Sequence, residues 1–175
     1  MRRAIPLLAL GLVAATLSAL EPQAPVRPSP ESLFAGTWTL VSVSNVLPDG
    51  TRVQPYGPDP QGILMFDAEG RYSLQIFRSG RARFASNDKS RGTAEEYQAT
   101  VEGTNSHFGS YAVDEASHVI TFQIEHASYP NWEGTEQKRS YTRDGDELRY
   151  TVPTTTTGNG AIGEVVWRRA PSESI

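Results

Sequence analysis

The sequence predicts an all-β fold: an eight-stranded, antiparallel, up-and-down barrel with one short helix. Three observations carry this. Eight short strand-like runs follow one another with tight turns between most of them. Several of the runs alternate apolar and polar residues, the period of a strand with one buried face. No crossover helices separate them, which argues against a parallel sheet and leaves a sandwich or a barrel.

The first run, residues 38–44, opens with Gly36-Thr37-Trp38 and follows a single helical turn expected over 31–35. Residues 63–66 and 71–77 make a hairpin across Asp67-Ala68-Glu69-Gly70. Thr93-Ala94-Glu95-Glu96 has the form of a capping box, Thr93 capping the helix and Glu96 reaching back. A helix is therefore expected from Ala94 to about Glu102, stopped by Gly103. Residues 107–113 and 119–126 flank the turn Asp114-Glu115-Ala116-Ser117. In the second of these, Ile120, Phe122, Ile124 and His126 share one face, and Thr121, Gln123 and Glu125 the other. Residues 137–143 and 147–152 meet around Asp144-Gly145, a hairpin signal, with Leu148, Tyr150 and Val152 opposing Arg149 and Thr151. Residues 165–169 close the set. A barrel of eight strands is just wide enough inside for side chains or one small ligand. The function is expected in the cup.

Outside the barrel, residues 1–19 read as a secretory signal. Arg2 and Arg3 precede an apolar run, and the small residues Thr16, Ser18 and Ala19 mark its exit, so cleavage is expected near Ser18 or Ala19. The apolar run, broken by Pro6, Thr16 and Ser18, is at the short limit for crossing a bilayer, and no stable membrane insertion is expected after cleavage. Residues 20–32, with Pro22, Pro25, Pro28 and Pro30, read as an extended tether. The barrel domain is expected over 33–170, with 171–175 as a tail. The expected location is secreted or periplasmic.

Without residues 1–19 the chain holds 14 basic and 20 acidic residues, a net charge of −6. Such a domain lacks the basic face that nucleic acid requires, and no nucleic-acid partner is expected. The absence of cysteine removes disulfides, thiol catalysis and cysteine zinc sites. No two histidines stand at metal-ligand spacing, so neither metal nor cofactor is expected. Gly158-x-Gly160-x-x-Gly163 satisfies the dinucleotide string but precedes a strand, not the helix that chemistry needs.

Eight residues are the candidates for contacting a small-molecule ligand: Tyr56, Arg78, His107, Tyr111, His126, Tyr129, Trp132 and Arg139. Tyr56 lies in the stiff loop Tyr56-Gly57-Pro58-Asp59-Pro60, either capping the core or facing a ligand. Tyr129 and Trp132 bracket a Pro130-Asn131 turn and either close it or stack on a ligand. His107 and His126 fall on neighbouring strands. If the Phe122–Ile124 face is the interior, His126 is a polar group in an apolar cup. Arg78, Arg81, Arg83, Lys89 and Arg91 against Asp88 alone form a basic stretch, either a solvated loop, the favoured reading, or a cationic lid over the mouth that favours a carboxylate or phosphate.

Several stretches carry a family resemblance. They are Gly36-x-Trp38, Pro55-Tyr56-Gly57-Pro58-Asp59-Pro60-Gln61-Gly62, Thr93-Ala94-Glu95-Glu96-Tyr97, Phe108-Gly109-Ser110-Tyr111-x-Val113-Asp114, Tyr129-Pro130-Asn131-Trp132-x-Gly134-Thr135-x-Gln137 and Val166-Trp167. Together, over residues 33–169, the chain resembles the bacterial and fungal lipocalin-like domain family. The resemblance implies a barrel and small-molecule binding. It also implies that Trp38 plugs the closed end with Arg168 or Arg169 laid across it. Where the family often has paired histidines, this chain has Phe122-Gln123.

The leading expectation is an exported protein that binds a small, partly apolar molecule, an acidic group on it being favoured by the basic stretch. The alternative is an isomerase, cyclase or lyase using His126, His107, Tyr111 or Glu125 as acid or base inside the cup. A third reading is an interaction module working through the loops at its open end.

Overall fold

The computed structural model describes residues 29–156 and 160–171. The expected signal with its cleavage point near Ser18 or Ala19, and most of the expected tether, lie outside the described residues. Ser29 caps a short helix, α1 (Pro30–Phe34), where its side-chain oxygen accepts from the Ser32 N–H and Pro30 occupies the first turn. The turn starts one residue before the expected Glu31.

α1 feeds β1 (Gly36–Val46), longer at both ends than the expected run. A two-residue strand, β2 (Arg52–Val53), folds back on Asn45 and Val46. Then come β3 (Gln61–Phe66), β4 (Arg71–Phe77), α2 (Ala94–Glu102), β5 (Thr104–Asp114), β6 (Val119–Ala127), β7 (Glu136–Asp144), β8 (Glu147–Val152) and β9 (Ile162–Arg169). Strands β3 to β9 pair in sequence order, all antiparallel, and β1 pairs with both β3 and β9. The sheet therefore closes on itself. With β2 set aside as an appendage, this is the eight-stranded barrel that the sequence predicts.

Local chemistry explains the turns. Asp67 Oδ1 accepts from the N–H groups of Glu69 (3.0 Å) and Arg71 (2.6 Å), and Gly70 supplies the left-handed φ of +87°. At α2 the capping box is complete: Thr93 Oγ1 accepts from Glu96 N–H at 3.2 Å, and Glu96 Oε2 accepts from Thr93 N–H at 2.8 Å. No residue of α2 is buried, so this helix flanks the barrel and does not fill it.

One end of the barrel is solid. Trp38 is fully buried, and its indole N–H donates to the Phe34 carbonyl at 2.9 Å. Arg169 lies across it, 4.2 Å from the ring centroid, while donating to the carbonyls of Ala35 (2.6 Å) and Leu33 (2.8 Å). Arg168 instead turns outward toward Glu147. Phe34 of α1 packs edge-on against Phe66 and Tyr141, so α1 is the stopper of this end.

A bulge sets the opposite half. On β5–β6, Phe108 faces His126 but Gly109 faces Ile124, leaving Glu125 as an extra residue. Ile120, Phe122 and Ile124 point inward as expected, but beyond the bulge the alternation is inverted. His126 is consequently on the outer surface, beside the Phe108 ring, and close to Glu133. The expectation that His126 shares the interior face with Phe122 is corrected. The bulge depends on Gly109: a Cβ there would stand 2.0 Å from the Gln123 carbonyl oxygen.

Candidate ligand-binding cavity

The open half of the barrel holds a partly enclosed cavity of about 420 Å³. Descending each strand that reaches it from the open end, the last residues to line it are Val43, Leu74, His107, Phe122, Arg139, Tyr150 and Val165. The next inward residues, among them Tyr72, Ile120, Leu148 and Trp167, belong to the packed core. These seven residues are therefore the deepest layer of the cup. Five are apolar or aromatic, one is an imidazole and one is a guanidinium.

Arg139 is only 7% exposed. Strand alternation dictates this: on β7 it shares the inward face with Tyr141, and neither neighbour, Lys138 or Ser140, does. Its Nη1 donates to the Lys138 carbonyl at 3.2 Å and its Nη2 to Gln137 Oε1. Burial pulls its pKa below the ordinary value, with Tyr150 and Tyr72 acting in the opposite direction. A guanidinium stays charged regardless.

His107 pairs across the sheet with Leu74, in the same layer, and is 7% exposed. Its Nδ1 lies 2.8 Å from the Tyr72 hydroxyl, and the rings of Tyr72, Phe122 and Trp132 surround it edge-on. Burial first, and the Arg139 charge second, push its pKa down to about 3. Burial likewise raises Tyr72, and raises Tyr150 to about 12. The buried groups around the cavity thus hold one protonation state across the neutral range: imidazole neutral, phenols protonated, guanidinium charged.

At the mouth, Arg78 donates through Nε (3.2 Å) and Nη2 (2.7 Å) to the Pro55 carbonyl, clamping the loop that carries Tyr56. That loop reaches the rim because β1 pairs with β3 only over Gly36–Thr39, and the chain from β2 to β3 passes along the remaining edge. Burial raises the Tyr56 pKa and the Asn105 side chain opposes it. That contact falls outside hydrogen-bond geometry, since Asn105 Oδ1 is buried without a bond partner. Trp132 comes to the rim on a 3-10 turn (Pro130–Trp132).

Of the eight candidate residues, the barrel brings Tyr56, Arg78, His107, Trp132 and Arg139 to this one cavity. Three stand elsewhere. His126 is outside, for the reason given. Tyr111 is inward but in the closed half, its hydroxyl 2.7 Å from the Asp67 carbonyl and 3.0 Å from that of Glu31. Tyr129 is an exposed outer partner of Trp132, ring centroids 5.6 Å apart. Of the two readings of the basic stretch, the cationic lid is the one set aside. Arg81 stacks over Phe77 and donates to Thr104, and Arg83, Lys89 and Arg91 are exposed, so only Arg78 of the basic stretch lines the cavity. Sequence reasoning missed Tyr72 and Tyr150 as neighbours of His107 and Arg139. The alternations Tyr72-x-Leu74-x-Ile76 and Leu148-x-Tyr150-x-Val152 were the available signal.

The model of the lipocalin-like domain matches residues 35–170. The chain belongs to the lipocalin-like domain family. Within reach of this family it is similar to the 4'-hydroxy-3'-methoxypropiophenone carrier protein of Aspergillus oryzae, 27% identical over 107 residues that make up 57% of this chain and 96% of that protein. Among solved structures it is similar to a lipocalin-like protein from Bacteroides uniformis, with 16% identity, a TM-score of 0.41, and coverage of 78% of this chain and 97% of that one.

Proposed function

We propose that this lipocalin-like protein is an exported carrier of a small, partly apolar molecule held in the open half of its barrel. The observation that carries this is the cavity itself: about 420 Å³, walled by Leu74, Phe122, Trp132, Tyr150 and Val165, with polar side chains such as Asn45, Arg78, His107 and Arg139 set among them. That size and mixed lining match small-molecule sites in general. The Aspergillus relative is named as a carrier of an aromatic ketone, a ligand with a flat ring and small polar substituents. Such a ring suits the aromatic walls here. Fixed protonation also favours carrying over catalysis. Proton transfer at neutral pH needs a group that titrates there, and burial holds His107 and Tyr150 far from that range. Export rests on Arg2, Arg3 and the apolar run that follows them.

Native mass spectrometry of the protein purified from its own source tests both parts in one spectrum. The expected species is a chain cut near Ser18 or Ala19 carrying an extra small-molecule mass that leaves on denaturation. An uncut chain would refute export. A folded protein that retains nothing, and binds none of a panel of aryl ketones, aryl acids and their esters, would refute the carrier reading.

A further inference from the structure

Resting on the carrier reading, we propose that the ligand binds as a monocarboxylate, acid group first. Its carboxylate sits on the Arg139 guanidinium in the deepest layer, and its apolar body lies toward Tyr56 and Trp132. A guanidinium offers five N–H donors in a planar fork and accepts nothing. The Lys138 carbonyl and the Gln137 side chain take one each. The other three have no protein acceptor among the described residues, and Arg139 has no ion-pair partner among them. Among the described residues that line the cavity the one acid, Glu102, is exposed at the end of α2, where it accepts from Gln98 Nε2 at 2.8 Å.

A buried charge without a counter-ion is costly, and interiors keep such charges paired. In this barrel the pairing charge is left for the occupant to bring. One guanidinium balances one negative charge, so a phosphate dianion would leave a surplus in an apolar layer. A planar carboxylate instead matches the fork with two parallel bonds. The mouth residue Arg78 has its Nε and Nη2 committed to Pro55 and adds positive potential along the way in.

The test titrates the whole chain with phenylpropanoate, its methyl ester and its primary amide near pH 7.5, at low salt and at about 0.5 M salt. The acid is expected to bind at least tenfold more tightly than ester or amide, with the preference kept at high salt because buried pairs are weakly screened. Arg139→Met is expected to abolish the preference while still binding the ester. Arg139→Lys, which keeps the charge but loses the fork, is expected to retain only part of it. Arg81→Gln combined with Arg83→Gln is expected to leave it unchanged. Equal affinity for acid and ester overturns the proposal while the carrier reading stands. So does a preference that collapses with salt, which would place the charge contact at the surface. If folded protein binds none of the three probes, the proposal is overturned, and the carrier reading is decided separately by the native mass spectrum and the aryl-ketone panel. The acid, ester and salt comparison is made on the unaltered chain, so it decides the proposal even where Arg139→Met fails to fold.

Discussion

Lowering the pH from about 7.5 to about 5 should cost the folded barrel about 2 kcal/mol through one side chain, His107. Its imidazole is ringed by Tyr72, Phe122 and Trp132 and faces the Arg139 charge, which together hold its pKa at about 3. In an unfolded chain a histidine titrates near 6.5. Below that value the unfolded state takes up a proton that the native state refuses, so stability is full above about 6.5 and is lost as the pH falls toward 3. At pH 5 the unfolded imidazole is about 1.5 units below its midpoint, and about 1.4 kcal/mol per unit makes about 2 kcal/mol. Carboxylates such as Glu125 and Glu164, whose pKa values are lowered by Arg71 and Arg52, add losses of the same sign only below their ordinary range near 4.5. The window from pH 7.5 to 5 therefore isolates the histidine. Urea melts across it should show the decline in the native protein and a nearly flat profile in His107→Gln, whose amide can still bond Tyr72. An unchanged slope in the variant would show that His107 is not the neutral, buried group described.

Three further outcomes follow from the closed end and the bulge. Trp38→Ala should destabilise by about 3–5 kcal/mol, the range for truncating a fully buried large aromatic, and a loss under about 1 kcal/mol in urea melts would rule out its role as a plug. Arg169→Met removes two hydrogen bonds to the Leu33 and Ala35 carbonyls together with the stacking on Trp38, for an expected loss of about 2–3 kcal/mol by the same assay. Gly109→Ala forces a methyl against the Gln123 carbonyl and should cost about 1–3 kcal/mol, whereas a neutral effect would mean that the bulge does not need a bare backbone.

The features legible in the sequence were those set by short-range chemistry. The capping box at Thr93 and Glu96, the Asp67–Gly70 turn and the period-two runs around Leu74, Phe122 and Tyr150 each depend on residues within a few positions of one another, so the strand order and the single helix could be read directly. Trp38 was legible for a different reason, its place in a family motif. Which side chains meet in the cavity was not legible, because that depends on register between strands far apart in the chain. One extra residue at Glu125 reverses every face beyond it, and so His126, placed inside by alternation alone, is outside while His107 is in. The mid-strand Gly109 was the only local sign of it. Tyr111 faces inward as its period requires, but depth along the barrel axis, not facing, put it in the closed half. The charge at the bottom of the cup is the clearest case. A sequence shows Arg139 among 16 lysines and arginines, yet only the closed barrel decides that this guanidinium is buried, lines a cavity and, among the described residues, has no carboxylate to meet it.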